Sequence, residues 1–210
     1  MANLKAVLFD IGGVLTSSPV VAIRQYAERE GIDYGILGPM IADHDLAWSR
    51  WERSELTQAD FFVAFDAECG ERGILATGAG VMEAAFGTQV VRPEMVALAE
   101  HLRGKVRLGA ITNNVLREAD APTRPDSLDL FSLFEVVIES AKVGIRKPDP
   151  RIYQMACEAL DVTPPEAAFL DDIGVNLKGA RALGMTTIKV DETTRAIDEL
   201  EAALGISLPR

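Results

Sequence analysis

Three short apolar runs, each ending in a carboxylic acid or a hydroxyl, constrain the fold of this chain most strongly. The first run ends at Asp10, the second at Thr112, and the third at Asp171 and Asp172. Such runs are typical of buried parallel strands, and open α/β sheets bind their ligands beyond the carboxyl ends of the strands. We therefore expect these side chains along one edge of a sheet. Carboxylates alone would repel one another there, which predicts a hard divalent cation such as Mg²⁺.

From Pro93 onward, predicted helices and strands alternate along the chain. This order implies parallel strands joined by right-handed crossovers, and so an α/β fold with a three-layer, Rossmann-like parallel sheet. The predicted strands after the first cover 106–111, 134–138, 167–170 and 186–190. The predicted helices cover 93–102, 115–120, 150–160, 175–183 and 193–204.

The stretch between the first strand and residue 88 reads as helical throughout. Its predicted helices cover 19–30, 45–53, 57–68 and 78–86. We interpret residues 17–87 as a helical cap inserted at the active edge of the sheet, and residues 1–16 and 88–210 as the α/β core. The aromatic residues of this stretch are expected to form the interior of the cap rather than a substrate box. They are Trp48, Trp51, Phe61, Phe62 and Phe65.

Composition and charge narrow the classes of partner. The chain has 210 residues, 48% of them hydrophobic, and a formal net charge of −11. That charge argues against nucleic acid or an anionic membrane as the main partner, whereas a bound metal and one lysine can still attract a small phosphorylated metabolite. The two cysteines lack metal-ligand spacing, and no targeting or membrane-spanning segment is evident. We expect a cytoplasmic protein, and the sequence carries no signal for its oligomeric state.

The residues around the predicted strand ends suit phosphate chemistry. A Gly pair follows Asp10 and lets the backbone turn sharply, and an aspartate at such a turn can attack phosphorus. Thr112 offers a hydroxyl, and Asn113 offers a backbone N–H and an amide. Lys147 is followed by Pro148 and Pro150, which hold the backbone extended before a helix, so its side chain can point inward. Asn176 follows Asp172 by one helical turn and can face the same site.

These motifs together resemble the haloacid dehalogenase-like hydrolases. Their order is an Asp after the first strand, a Thr or Ser after the second, a Lys, and then an acidic pair. The chain is similar over nearly all its length to one branch, the phosphatases that resemble the N-terminal domain of soluble epoxide hydrolase. The most specific similarity lies at residues 137–140, 147–153 and 169–178, and the cap resembles that branch around Trp51-Glu52-Arg53 and Phe61.

The resemblance implies a metal site as well as a nucleophile. It assigns Asp10 as the nucleophile and as a ligand of Mg²⁺. The backbone carbonyl of Gly12 would be a second ligand and Asp172 a third, while Asp171 would hold metal-bound water.

The resemblance also implies a phosphate cradle. Thr112, the Asn113 amide and Lys147 would bind the transferring phosphoryl group, with Thr112 and Lys147 acting in catalysis beside Asp10. Asn176 would support the acidic pair.

Gly12 departs from the family pattern. The family usually places a second Asp two residues after the nucleophile, as general acid and then base, and that help is typically worth roughly 10²–10⁴-fold in rate. We therefore expect a weak phosphatase, or one selective for good leaving groups. Asp171, Asn176, a cap side chain such as Asp45 or His44, or the substrate itself could substitute for the absent acid.

The sequence therefore favours a Mg²⁺-dependent phosphatase that forms an aspartyl phosphate at Asp10. A non-catalytic phosphate-ligand binding or regulatory module is the main alternative, since such a module could keep the cradle without the acid. A 2-haloacid dehalogenase would use the same Asp10 but needs no metal, so the Asp171-Asp172 pair argues against it. A receiver domain needs its acidic pair near the N-terminus, and this chain carries the pair near its C-terminus.

Overall fold

The core of the protein is a parallel sheet with helices on both faces. A computed structural model describes residues 4–87, 89–116 and 129–208. Within these residues, five parallel strands lie in the order β3-β2-β1-β4-β5, which confirms the predicted α/β fold. The strands are β1 (Ala6–Phe9), β2 (Arg107–Thr112), β3 (Val136–Glu139), β4 (Ala167–Asp171) and β5 (Thr186–Lys189).

The central strand β1 shows why its sequence is apolar throughout. Val7 and Phe9 pack into a hydrophobic cluster on one face of the sheet, with α6 (Pro93–Leu102) and α10 (Thr193–Leu204). Ala6 and Leu8 pack into a second cluster on the other face, with α8 (Pro150–Ala159) and α9 (Gly174–Ala182). Because successive strand side chains point to opposite faces, a strand buried on both faces has no polar position to spare. The first polar side chain therefore appears only where the strand ends.

The segment between β1 and α6 folds into helices with a hydrophobic cluster of their own. This cluster, which buries Trp48, Trp51, Phe61 and Phe65, also contains residues from every helix of the segment. The helices are α1 (Pro19–Glu30), α2 (Tyr34–Ala42), α3 (Ala47–Glu52), α4 (Gln58–Glu71) and α5 (Gly78–Phe86). Thr57 caps α4 by accepting a hydrogen bond from the Asp60 N–H. Together these five helices are called the cap.

The helix predictions differ from the structure at three places. Helix α2 was not predicted, because Pro39 and two glycines obscure its pattern; Asp33 caps its start, and Leu37 and Met40 are buried. The predicted helix over 115–120 is not seen at residues 115 and 116, which lie outside any helix, and its remainder lies outside the described residues. The short helix α7 (Ser140–Val143) directly follows β3 and was also not predicted.

Candidate active site

The sheet order brings the polar strand ends together. Strand β1 lies between β2 and β4, with Phe9 level with Ala110 on one side and Leu170 on the other. Asp10 follows β1, its backbone N–H bonded to the Leu170 carbonyl at 2.9 Å. Thr112 ends β2, and it is buried with 5% of its surface exposed. The carboxyl ends of the neighbouring strands β2, β1 and β4 thus form one continuous edge of the sheet.

Three carboxylates converge at this edge. One oxygen from each of Asp10, Asp171 and Asp172 lies within 4.8 Å of the others. Lys147, which is 1% exposed, places its Nζ 2.8 Å from Asp10 Oδ1 and 2.8 Å from Asp171 Oδ2. A single buried ammonium therefore joins the carboxylates that follow β1 and end β4.

Burial and charge shift the pKa values of these groups. Burial raises the pKa of Asp10 well above its usual range; Lys147 opposes this shift, whereas Asp171 and Asp172 add to it. Burial by itself would lower the pKa of Lys147, but the adjacent Asp10 and Asp171 carboxylates outweigh it and raise that pKa. The site therefore holds more negative charge than one lysine balances, and a further cation would favour the ionised carboxylates.

Asp171 is held by several donors and is not exposed. Its Oδ1 accepts hydrogen bonds from the Ile173 N–H at 2.7 Å and from Asn176 Nδ2 at 3.1 Å. Its Oδ2 accepts from Asn176 Nδ2 and from Lys147. The predicted supporting residue Asn176 therefore contacts the acidic pair directly.

Asp172 has a different environment. Its Oδ2 accepts a hydrogen bond from Ser18 Oγ at 2.6 Å, while its buried Oδ1 has no hydrogen-bond partner among the described residues. Gly13 lies directly against this carboxylate, with φ +85°, and a Cβ at Gly13 would sit 2.2 Å from Asp172. Gly13 and an unpaired carboxylate oxygen thus meet beside Asp10, and the oxygen donors of this acidic cluster fit a divalent cation.

Pro19 lies beside Gly12, where the family usually keeps its second Asp. A Cβ at Gly12 would meet Pro19 Cγ and Cδ at 3.0 Å. Pro19 opens α1, so the first helix of the cap packs directly against this position.

The loop that carries Lys147 is tied to the end of β2. The Asn113 side chain accepts a hydrogen bond from the Lys147 N–H at 2.8 Å and donates one to the Lys147 carbonyl at 3.1 Å. Asn114 donates to Glu139 at 2.6 Å, and its N–H donates to Ser140 Oγ at 3.0 Å. The Asn113 side chain is thus engaged with Lys147, and this positioning role was not expected from the sequence.

A cavity of about 740 Å³ opens above the carboxylates, between the core and the cap. Asp10, Gly12, Asn113, Lys147 and Asp172 line its floor. The cap side is largely apolar and includes Val20, Ile23, Tyr34, Ile41, Trp48 and Phe86. The site can therefore hold a polar group at the sheet edge and an apolar group against the cap.

A buried ion pair also lines this cavity, and sequence reasoning missed it. Glu52 ends α3, and its Oε2 lies 2.8 Å from Arg146 Nε of the loop before Lys147. Both side chains are largely buried, with 8% and 14% of their surfaces exposed. Arg146 also donates a hydrogen bond to Ser49 Oγ. The pair joins cap to core over a sequence separation too large for any local pattern to indicate it.

Comparison with known proteins decides the family. The profile described as haloacid dehalogenase-like hydrolase matches residues 4–184, which is most of the chain. This chain belongs to the haloacid dehalogenase-like hydrolases. The resemblance drawn from the motifs is therefore confirmed.

Several known proteins are similar to almost all of this chain. It is 38% identical to acyl-CoA dehydrogenase family member 10 of Mus musculus over 98% of its length, and 30% identical to bifunctional epoxide hydrolase 2 of Sus scrofa over 98%. The chain spans only 20% and 40% of those two proteins. It is 32% identical to phosphatase MT3486 of Mycobacterium tuberculosis, covering 93% of this chain and 91% of that one.

Solved structures share the fold of this haloacid dehalogenase-like hydrolase. A predicted HAD-like family hydrolase from Porphyromonas gingivalis superposes with a TM-score of 0.73 at 21% identity, covering 98% of this chain and 100% of that one. A HAD family enzyme from Bacteroides thetaiotaomicron, in complex with magnesium and inorganic phosphate, superposes with a TM-score of 0.58 at 22% identity, covering 90% and 96%. In the described ranges, no helix combines the length and the apolar character needed to span a bilayer.

Proposed function

We propose that this haloacid dehalogenase-like hydrolase is a Mg²⁺-dependent phosphatase with Asp10 as its nucleophile. The observation that carries the proposal is the convergence of Asp10, Asp171 and Asp172 within 4.8 Å around the buried Lys147. The phosphatase named among the relatives, and the magnesium and phosphate in a solved structure of the same fold, support this assignment.

The metal would be held by Asp10, Asp172 and the Gly12 carbonyl, with Asp171 holding metal-bound water. The unpaired, buried Oδ1 of Asp172 supports this donor set, because a hard cation prefers oxygen ligands. Mg²⁺ in this place would neutralise charge on the phosphoryl oxygens and on the carboxylates. Ser18 would orient Asp172, to which it donates a hydrogen bond at 2.6 Å.

The phosphoryl group would bind beside Asp10, with the Thr112 hydroxyl, the Asn113 backbone N–H and Lys147 as donors. Asp10 would attack phosphorus and displace the alcohol, and water would then hydrolyse the aspartyl phosphate. Lys147 would hold Asp10 in place and offset charge on the phosphoryl group, because its ammonium already contacts that carboxylate at 2.8 Å.

Gly12 contributes no proton to this reaction. If nothing else supplies one, the enzyme is weak or selective for leaving groups that carry negative charge well, such as acyl, enol or aryl phosphates. Acid catalysis at this position would otherwise be worth roughly 10²–10⁴-fold.

The substrate we infer is a small phosphorylated metabolite with an apolar leaving group. Apolar side chains such as Ile23, Ile41 and Phe86 line the cap side of the cavity, directly above the proposed phosphate site. Burying an apolar group there would stabilise the complex by about 25 cal/mol per Å².

We assign residues 17–87 to the cap and residues 1–16 and 88–210 to the core. The cytoplasmic location stays a prediction.

A phosphatase screen with Mg²⁺ tests the proposal. Nitrophenyl phosphate and a series of alkyl phosphates of increasing chain length should be hydrolysed, with kcat/KM rising along the series. Asp10→Asn should keep the fold, because the change is nearly isosteric, and should abolish turnover of every substrate. The control is Asp60→Asn, which changes an exposed carboxylate at the start of α4. Wild-type turnover in Asp10→Asn would exclude covalent catalysis by Asp10.

A further inference from the structure

A phosphatase with Gly at position 12 needs another proton donor for poor leaving groups, and neither Asp171 nor Asn176 at the sheet edge is suited to this role. Both oxygens of Asp171 accept hydrogen bonds, from Lys147, Asn176 and the Ile173 N–H. The Asn176 amide cannot act as an acid. Asp45, considered from the sequence, has 92% of its side chain exposed and does not line the cavity. Another acidic side chain near the site comes from the cap.

Glu52 is the carboxyl group that the cap brings to this cavity. It ends α3 and lines the same cavity as Asp10 and Lys147, and only 6% of the residue is exposed. His44 also lines the cavity, but 71% of its side chain is exposed, and it contacts Asp45 at the surface. Of these two cap side chains, Glu52 is the one shielded from bulk water.

The surroundings of Glu52 favour its protonated form more than water does. Burial raises its pKa, although Arg146, a hydrogen bond from Trp48, and the charges of Lys147 and Arg53 all act to lower it. The contact with Arg146 is close at 2.8 Å but lacks hydrogen-bond geometry, since neither Glu52 Oε2 nor Arg146 Nε has a hydrogen-bond partner. The charged groups that face Glu52 are thus cations, and desolvation is the one effect that favours the protonated carboxyl.

We propose that Glu52 is the general acid and base of this active site, in place of the residue absent at position 12. This inference rests on the proposed phosphatase function. As Asp10 bonds to phosphorus and the ester P–O bond breaks, the Glu52 carboxyl gives its proton to the leaving oxygen, which departs as an alcohol. The Glu52 carboxylate then takes a proton from the water that attacks the phosphorus of phospho-Asp10. Inorganic phosphate and the Asp10 carboxylate are released, and Glu52 is again protonated.

The test compares leaving groups in Glu52→Gln, which keeps the side-chain shape and can still accept the Trp48 hydrogen bond. For hexyl phosphate, a poor leaving group, kcat/KM should fall by roughly 10²-fold or more, and for nitrophenyl phosphate by less than about threefold. Glu55→Gln is the matched control, because Glu55 lies just beyond α3 and pairs with Arg50 and Arg53 at the surface. In this control, kcat/KM should be unchanged for both substrates.

A purely structural role for Glu52 predicts a different result. If Glu52 served only to hold Arg146 and the adjoining Lys147, Glu52→Gln would slow both phosphates by the same factor, and that outcome would overturn the inference. An unchanged rate with hexyl phosphate would overturn it as well. If the wild type failed to hydrolyse even nitrophenyl phosphate, or if Asp10→Asn hydrolysed it normally, the phosphatase proposal would fall first.

A measurement on the wild-type protein keeps the inference testable if Glu52→Gln does not fold. The kcat/KM for hexyl phosphate should decline as pH rises through the pKa of Glu52, because the ionised carboxylate has no proton to give. Nitrophenyl phosphate should lack this decline. Removing a facing cation in Arg146→Gln should move the decline to higher pH. Superimposable pH profiles for the two substrates would contradict an acid at Glu52.

Discussion

The sheet edge and the cap wall that faces it hold their polar groups in different ways. At the edge, the Lys147 ammonium lies 2.8 Å from a carboxylate oxygen of Asp10 and 2.8 Å from one of Asp171. The ends of β1 and β4 hold these two carboxylates in place. The cap wall, which is the side of the cavity lined by cap residues, is largely apolar apart from the buried carboxyl of Glu52. The partner of Glu52 is Arg146, which belongs to the core.

This comparison separates two kinds of requirement. In our proposal the edge residues bind the phosphoryl group, which every phosphate ester shares, so damage there should affect all substrates alike. The cap side of the cavity would contact the leaving group, which varies, so changes there should alter the ranking of substrates. Ser54 Oγ also donates to the Ala141 carbonyl at 2.7 Å, and this bond and the Glu52–Arg146 pair fix the cap wall over the edge.

Gly13→Ala should produce the largest effect of the predictions that remain. Its φ of +85° strains any residue with a Cβ, and that Cβ would lie 2.2 Å from Asp172. We expect a loss of stability of about 1–2 kcal/mol from the backbone alone, measured by denaturant unfolding. Displacement of Asp172 should reduce turnover of aryl and alkyl phosphates by the same factor.

The neighbouring variant Gly12→Ala is the control for that prediction. Its Cβ would meet the Pro19 ring at 3.0 Å, so the start of α1 must shift by a few tenths of an ångström, and its φ is not left-handed. Gly12→Ala should therefore keep most of the activity. Equal losses in the two variants would show that the edge is not organised around the Gly13–Asp172 contact.

The free energy of unfolding, measured as a function of pH, should respond in opposite ways to removal of the Glu52 carboxyl and of the surface carboxyl of Glu55. The pKa of Glu52 is raised in the folded state, so its stabilising contribution is present below its ordinary value of 4.5 and is lost as pH rises through the folded pKa. Glu52→Gln should therefore gain stability relative to the wild type as pH rises above 4.5.

Glu55 should give the opposite sign. A hydrogen bond from Arg53 lowers its pKa, so its contribution is present above 4.5 and is lost as pH falls through the folded pKa. Glu55→Gln should approach wild-type stability as pH falls. The same pH trend in both variants would mean that the cap wall does not desolvate Glu52.

Gly12→Asp should produce the smallest effect, because it acts where edge and cap meet. The new carboxylate must displace the Pro19 ring, and Glu52 already supplies a proton in our proposal. We expect kcat/KM for hexyl phosphate to rise by less than about tenfold in the wild type, and by a larger factor within the 10²–10⁴ range of acid catalysis in Glu52→Gln. An equally large gain in the wild type and in Glu52→Gln would argue that Glu52 supplies no proton.

The sequence predicted the parallel sheet and its polar edge because both depend on local pattern. An apolar run that stops at an acid, as at Asp10 and Asp171, reports burial followed by exposure to a ligand site, and it needs no knowledge of the rest of the chain. Helix α1 was likewise evident from Pro19 and Gly31. Helix α2 was missed, since Pro39 within it breaks the expected pattern although burial of Leu37 and Met40 stabilises the helix.

What the sequence by itself determined is the set of strand ends and the residue types that follow them. Only the tertiary structure decided which of those side chains meet, and it added what no local pattern carries. Pro19 packs beside Gly12, the position of the absent acid. The Asn113 side chain ties the end of β2 to Lys147, and Glu52 pairs with Arg146 across a long stretch of chain. The physical reason is that a strand's apolar pattern depends on residues close together in the sequence, whereas a buried polar contact depends on where distant segments pack.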